Sequence, residues 1–278
     1  MEESKPLVSV IITCYNREKY IRRSLESVIN QTYKNIEIVI VDDASVDGSV
    51  EVIKSYNDDR IRLICLEKNR GVGSSKRTGA DNSNGEYICF LDSDDYYKPE
   101  YVEINVDKAI SGNHDLVLGR KYLDFGRGII LEMPYTLHKG TYQAINAMFL
   151  RRDLYNKLDF SKLRLFEDRA VLPKLVYYTT NTGIIPISPY VWVCNKKSAV
   201  FGSHTLMRLL YHSLSLIDNI QFFSKVDSNY TAITDNRRLL NIYNNFKKED
   251  KEYLATKFPE DYDSYIKYIN SLNSNSES

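Results

Sequence analysis

The sequence predicts an α/β fold in which a mostly parallel sheet is flanked by helices, with a helical appendage at the C-terminus. Three features predict it. Continuous β-branched apolar runs recur through the first hundred residues, the mark of strands buried on both faces. Stretches with apolar residues at helical spacing lie between them. The links are short, and strand–helix alternation with short links builds a parallel sheet covered on both sides.

LVSVIITC (7–14) reads as the first strand, and REKYIRRSLESVIN (17–30) sets Ile21, Leu25 and Val28 on one helical stripe. IEIVIVD (36–42) is a second strand, and ASVDGSVEVIKSY (44–56) places Val46, Val50 and Ile53 at helical spacing. RIRLICLE (60–67) is a third strand, GVGSSKRTGADN (71–82) a glycine-rich turn and short helix, and EYICFLD (86–92) a fourth strand. Beyond residue 100 the pattern is less regular. HDLVLGRKYLD (114–124) reads as a strand and TYQAINAMFLRRDLYNKL (141–158) as containing helical stretches. LFEDRAVLPKLVYYTT (165–180) is helical, with Pro173 either near its first turn or kinking it. TGIIPISPYVWVCNK (182–196) is extended. From Thr205, a stripe of Met207, Leu210, Leu214, Ile217 and Ile220 begins a helical region that ends in the frayed tail NSLNSNSES.

Composition narrows the function. The 278 residues are 43% hydrophobic and 12% aromatic, which suits a sizeable core. Lys+Arg and Asp+Glu both number 37, so the net charge is zero and a general nucleic-acid binder is disfavoured. The opening MEESKPLVSVIITCYN is unlike a secretory leader, and no run reaches the ~18 apolar residues of a membrane helix. Cys14, Cys65, Cys89 and Cys194 are far apart and read as reduced, buried thiols. A cytoplasmic protein is expected, with peripheral contact at the inner membrane face left open.

Ligands of parallel sheets bind beyond the carboxyl ends of the strands. Thr13 and Tyr15 follow the first strand, Asp42-Asp43 the second, and Asp92-Ser93-Asp94-Asp95 the fourth. Strand alternation would turn Asp92 and Asp94 to one side, where they suit Mg²⁺ or Mn²⁺ shared with substrate phosphates. The alternative is an acidic turn in which Asp95 caps the next helix. Asp43 suits a hydrogen bond from a base or ribose, or else an N-cap of the helix over 46–56. Arg77, like Tyr15, can stack on or pair with a nucleotide. GVGSSK fails the phosphate-loop pattern because Lys76 follows Ser75 and not glycine, and no GxGxxG occurs.

PLVSVIITCYNREKYIRRSLESVINQTYKNIEIVIVDDASVDGS followed by NRGVGSSKRTGADNSNGEYICFLDSDD resembles the nucleotide-sugar glycosyltransferases of family 2, densely over residues 6 to about 100. The resemblance implies the GT-A fold, with a catalytic domain over 1–202 (nucleotide half 1–100, acceptor half 101–202); the helical region over 203–278 is read from its apolar stripe and lies outside the resemblance. It implies that Thr13, Tyr15 and Asp43 hold base and ribose, with Arg77 near the base. Asp94 would be the direct metal ligand and Asp92 nearer the ribose. Asp168, with Glu167 beside it, matches the general base that deprotonates the acceptor. Lys197 and Ser198 of NKKS sit where relatives carry arginine and serine near the diphosphate; the lysine is a departure. His204 is a further phosphate or metal contact, or a surface histidine.

A carboxylate base opposite a leaving diphosphate would give single displacement with inversion. The resemblance thus implies a metal-dependent inverting enzyme, with a UDP-sugar donor and a glycan, polymer or lipid-linked acceptor. A sugar nucleotidyltransferase is the alternative enzyme, but TCYNREKY lacks that class's glycine-rich loop; an inactive scaffold of the same fold is a third reading. The tyrosine-rich C-terminal helices could contact acceptor or membrane, or pair two copies.

Overall fold

A computed structural model of the protein describes residues 5–126, 130–133, 145–158, 167–186, 190–194, 205–228 and 232–274. The first half alternates as its apolar runs dictate: β1 (Val8–Cys14), α1 (Ile21–Ile29), β2 (Ile36–Asp42), α2 (Ser49–Lys54), β3 (Ile61–Cys65), α3 (Val72–Asp81) and β4 (Tyr87–Asp92). Then come β5 (Tyr96–Tyr97), α4 (Tyr101–Ser111), β6 (Leu116–Leu118), β7 (Lys121–Asp124) and β8 (Ile130–Met133). A 3₁₀ turn (Ile145–Ala147) leads into β9 (Met148–Arg151) and α5 (Arg152–Tyr155). After α6 (Glu167–Tyr178), β10 (Thr182–Ile184) and β11 (Tyr190–Val193), four helices finish the chain: α7 (Thr205–Val226), α8 (Ile233–Asn244), α9 (Lys248–Lys257) and α10 (Pro259–Ser274).

The main sheet has the order β10-β6-β9-β4-β1-β2-β3, parallel except for β9, which runs antiparallel to both neighbours. A second sheet, β5-β11-β7-β8, stands beside it. β1, β2 and β4 are the centre, and their residues are buried on both faces as their unbroken apolar runs require. One face is covered by Ile21, Leu25 and Val28 of α1 with Val102 and Val106 of α4. The other is covered by Ala80 of α3 with Val171 and Leu175 of α6. A third cluster joins Leu210, Leu214, Ile217 and Ile220 of α7 to Leu239, Leu254, Tyr265 and Ile269, and it includes Ala170 of α6.

Several sequence readings need correction. Val46 is 89% exposed and precedes α2, which starts at Ser49 after Gly48 at its N-cap; the Asp47 carboxylate accepts the Ser49 N–H (3.1 Å). The segment 114–124 is two strands in different sheets, broken at Gly119-Arg120. The stretch 141–158, read as containing helical stretches, does hold the 3₁₀ turn and α5, but between them runs β9, whose Met148-Phe149-Leu150 are buried in mid-sheet; burial there overrides helical propensity. The tail is helical through Ser274. Cys14 and Cys89 are buried, with thiols pushed up to about 12 chiefly by burial, whereas Cys65 is exposed.

Pro173 lies in the middle of α6, where it has no N–H to give the Arg169 carbonyl one turn back. Asn219 of α7 supplies the missing donor, its Nδ2 lying 3.0 Å from that oxygen. Beside it, the buried Lys174 ammonium donates to Asp218 of α7 and lies 5.5 Å from the Phe222 ring.

Gly79 sets how closely α3 approaches the sheet. A Cβ there would lie 2.4 Å from Ile11 Cγ2 in the centre of β1. Gly79→Ala is expected to cost about 1–3 kcal/mol through overpacking, read as a lower midpoint of urea unfolding. An unchanged midpoint would mean that Ile11 and α3 yield without cost.

Candidate active site

β1, β2 and β4 end level with one another: Thr13 pairs in register with Asp92, and Cys14 with Asp42. Their carboxyl ends therefore deliver Thr13, Asp42-Asp43 and the Asp92–Asp95 turn to one edge. The loops there are clasped by short polar side chains. Asn16, at φ 53°, donates its N–H to Ser45 Oγ (2.9 Å) and accepts the Val46 N–H on Oδ1 (2.9 Å). Asp42 Oδ2 accepts the Ser45 N–H at 2.9 Å, which tightens the turn through Ala44, itself at φ 62°. Such left-handed alanine backbone is held only where its surroundings over-determine it. Tyr15 is 44% exposed at the rim.

Asp43 is buried and does not cap α2. Its two carboxylate oxygens accept the N–H groups of Arg70 (2.7 Å) and Gly71 (2.8 Å). It thus fixes the turn into α3, where Gly71 adopts φ 88°. Each carboxylate oxygen has a second lone pair, so a ligand N–H or hydroxyl can still be accepted.

α3 turns Lys76 inward. Lys76 is 2% exposed, and its Nζ lies 3.8 Å from Asp92 Oδ1. Arg77, one residue on, points outward with Nε 3.4 Å from Asp81. The structure therefore sets Lys76, not Arg77, beside the strand-end acids. Asn146 of the 3₁₀ turn donates Nδ2 to the other Asp92 oxygen. Asp92 Oδ1 and Asn146 Oδ1 are both buried and have no hydrogen-bond partner among the described residues.

The acidic turn is built differently from a simple strand alternation. β4 stops at Asp92, and a turn follows in which the Asp95 N–H returns to the Asp92 carbonyl (3.0 Å). Asp94 lies 3.5 Å from Arg17 Nε, and its carbonyl accepts Arg23 Nη2 at 2.8 Å. Burial and the Asp92 charge nonetheless raise the Asp94 carboxyl above its ordinary range. Asp95 caps no helix. It is buried and accepts the Tyr190 hydroxyl and the Val193 N–H (2.8 Å), which ties the turn to β11. Burial and the charges of Asp92 and Asp94 push its carboxyl well above the usual value, towards the neutral form.

Glu167 and Asp168 open α6, where the backbone alone is described. Just past the other end of that helix, Thr180 and Asn181 hydrogen-bond to Asp115, immediately before β6. β6 runs parallel to β1, since β9 reverses direction between β4 and β6. The first turn of α6 is therefore the end directed towards the carboxyl edge of the sheet. Lys197, Ser198 and His204 lie outside the described residues.

Sequence reasoning missed Lys76, Asn146, Arg17 and Arg23. Lys76 had a signal, since Gly73, Lys76 and Ala80 share one helical stripe, and that stripe is the buried one. Asn146 had none. No group of three or more His, Cys, Asp or Glu side chains suited to a metal occurs among the described residues. An ion held by Asp92 and Asp94 would take its remaining ligands from substrate and water.

Comparison with known proteins is consistent with this geometry. GlyG of Streptococcus pneumoniae serotype 4, a glycosyltransferase, is 27% identical over 244 residues, covering 79% of each chain. Coverage of the curated relatives varies: the chain spans 17% of one of the first it matches and 79% of another. S. aureus TarS 1–349 in complex with UDP-GlcNAc superposes with a TM-score of 0.64 at 18% identity, covering 96% of this chain and 92% of that one. The Pyrobaculum calidifontis mannosyltransferase PcManGT, in complex with GDP-Man and Mn²⁺, gives 0.59 at 16% identity, covering 96% and 84%. These superpositions show the GT-A fold. The family model "Glycosyl transferase family 2" matches residues 9–166, more than half of the 278, and the chain belongs to that family.

Proposed function

We propose that the protein is a metal-dependent inverting glycosyltransferase that moves a sugar from a UDP-sugar to a hydroxyl of a glycan, cell-surface polymer or lipid-linked acceptor. The observation that carries this reading is the level ending of β1, β2 and β4, which brings Thr13, Asp43 and the Asp92–Asp95 turn together above a buried lysine. Thr13, Tyr15 and Asp43 would receive base and ribose. Lys76 would offset the acids and reach for the diphosphate, as a flexible point charge can.

Asp92 and Asp94 fit a divalent ion. Asp94 is a partly buried carboxyl raised by that burial and by the Asp92 charge, and Asp92 presents a buried oxygen without a hydrogen bond among the described residues. Mg²⁺ or Mn²⁺ takes one or two carboxylates and fills the rest with phosphate oxygens and water. Bound there, it would neutralise the leaving diphosphate. PcManGT was solved with Mn²⁺ and a GDP-sugar, and TarS with a UDP-sugar; both support this reading. Asp168, with Glu167 beside it, would take the acceptor proton from the first turn of α6. Among the described residues no helix is long and apolar enough to cross a membrane; the setting proposed is the cytoplasm or the inner membrane face.

Asp94→Ala is expected to fold but to lose the Mn²⁺-dependent part of the thermal stabilisation given by UDP-sugars. Equal stabilisation of variant and wild type would remove Asp94 from the metal site. Asp168→Asn should keep UDP affinity while transfer falls by roughly 10²–10⁴-fold; transfer at the normal rate would disqualify Asp168 as base. Lys76→Met is expected to weaken UDP binding roughly tenfold, as for loss of one charge-assisted contact. Arg77→Ala should change it less than about twofold, as for a solvated surface pair. Calorimetry on both variants checks this ordering, and the reverse ordering would restore Arg77 to the nucleotide.

A further inference from the structure

Asn146 takes its place from the antiparallel strand of the main sheet. β9 pairs with β4 so that Tyr87 faces Arg151, Ile88 faces Leu150 and Cys89 faces Phe149. The same register carried three residues further sets Asn146, in the 3₁₀ turn before β9, opposite Asp92 at the end of β4. Side chains directly opposite one another on an antiparallel pair share a face of the sheet. Asn146 is 5% exposed, and its Nδ2 donates to Asp92 Oδ2. An ionised carboxylate only accepts, so this contact fixes which end of the amide is the nitrogen. Asn146 Oδ1 is thereby turned away from Asp92. It is buried and has no hydrogen-bond partner among the described residues. A leucine has nearly the same shape and would bury no polar oxygen. An unpaired interior acceptor costs stability, so packing does not account for an asparagine here. What the side chain contributes is its N–H, and that N–H serves Asp92.

The two oxygens of Asp92 are therefore unlike. Oδ2 is engaged by Asn146. Oδ1 faces Lys76 Nζ at 3.8 Å, beyond hydrogen-bond reach, and accepts no hydrogen bond among the described residues. With the amide on one oxygen the carboxylate is held in one orientation, and it offers the other oxygen singly. Asp94 is held more loosely, with Arg17 Nε at 3.5 Å. The chain supplies an ion with little else, since no group of three or more His, Cys, Asp or Glu suited to a metal occurs among the described residues. Where protein ligands are few, the choice of ion depends on how each carboxylate is presented. Ca²⁺ takes about 6–8 oxygens at roughly 2.3–2.6 Å and accepts a carboxylate through both oxygens. Mg²⁺ demands near-ideal octahedral geometry at roughly 2.0–2.1 Å and keeps several waters, and Mn²⁺ suits the same octahedral oxygen setting. A rigid carboxylate that offers one oxygen favours the octahedral ions.

We propose that Asn146 is a positioning residue of the metal site: it holds Asp92 Oδ2, leaves Oδ1 as the single oxygen offered to the ion, and so selects Mg²⁺ or Mn²⁺ over Ca²⁺. This role rests on the metal-dependent glycosyltransferase reading, in which the ion sits between Asp92, Asp94 and a nucleotide diphosphate.

UDP is the probe, titrated by calorimetry into the full chain with Mn²⁺, Mg²⁺, Ca²⁺ or EDTA in place of a metal. The wild type is expected to bind UDP more tightly with Mn²⁺ or Mg²⁺ than with Ca²⁺. Asn146→Leu keeps the volume and removes the N–H. In that variant the ratio of UDP affinity with Mn²⁺ to UDP affinity with Ca²⁺ should fall roughly tenfold, as for loss of one hydrogen bond to a charged group. UDP affinity in EDTA should change less than about twofold, the scatter of a substitution that touches nothing essential. Asn146→Ala carries the same expectation and replaces the leucine variant if that chain does not fold. A wild-type ratio in the variant overturns the role. An equal fall with every ion and with EDTA also overturns it, because it marks a residue that acts through shape alone. The metal-dependent reading is judged separately on the wild type. If UDP binds there no better with an ion than with EDTA, that reading falls and takes this role with it. If the ion dependence stands while the variant keeps the wild-type ratio, this role falls alone.

Discussion

Everything at the candidate site depends on confining Asp92, Asp94 and Asp95 within one short turn. Two unit charges about 4 Å apart interact by about 4 kcal/mol at an effective dielectric near 20, so three neighbouring carboxylates need relief. The chain relieves them in three ways. Asp95 is withdrawn into the protein, bonded to Tyr190 and Val193, and favoured in its neutral form. Asp94 borrows positive charge from Arg17 and Arg23. Asp92 faces the buried ammonium of Lys76. The lysine and the acids explain each other, since a buried ammonium needs a counter-charge as much as the acids do.

That arrangement reaches back into the fold. Lys76 can approach Asp92 because α3 lies close on β1, with Gly79 against Ile11. α3 begins where it does because Asp43, itself a strand-end acid, holds the N–H groups of Arg70 and Gly71. One strand end thus positions the helix whose lysine balances another. Asp95 extends the same logic to β11, which leads into the segment carrying Lys197 and Ser198. The candidate site is less a set of side chains hung on a scaffold than a group of mutually capped turns.

The sequence made the nucleotide half legible because buried strands and amphipathic helices leave strong periodicities, and the sheet edge follows from chain order alone. Thr13, Asp43, Asp92 and Asp94 were readable as strand-end residues for that reason. The pleat argument for Asp92 and Asp94 was not sound, because the strand ends at Asp92 and a turn makes the pairing. Lys76 drew no notice although the Gly73–Lys76–Ala80 stripe marks the inward face; Arg77 was named for its capacity to pair with a nucleotide and for its place in the resembling segment, neither of which depends on helical phase. β9 was illegible because Met148-Phe149-Leu150 is as apolar in a helix as in a strand, and only the gap between β4 and β6 selects the strand. Asn146 followed it into obscurity, since an asparagine in a turn carries no periodic signal.

The C-terminal helices bear on the chemistry through α6. One side of that helix, with Val171 and Leu175, packs on the sheet, and the other, with Ala170 and Lys174, packs on α7. Pro173 breaks its internal ladder at Arg169, and the repair comes from Asn219, a residue of α7. A helix that depends on a neighbour for a backbone hydrogen bond and for the counter-charge of a buried lysine is not independent of that neighbour. The residues proposed to take the acceptor proton, Glu167 and Asp168, stand at the first turn of this helix. Their position is therefore set jointly by the sheet and by the appendage. This is why a helical region outside the residues matched by the family model is a fit place to look for control over which acceptor is used.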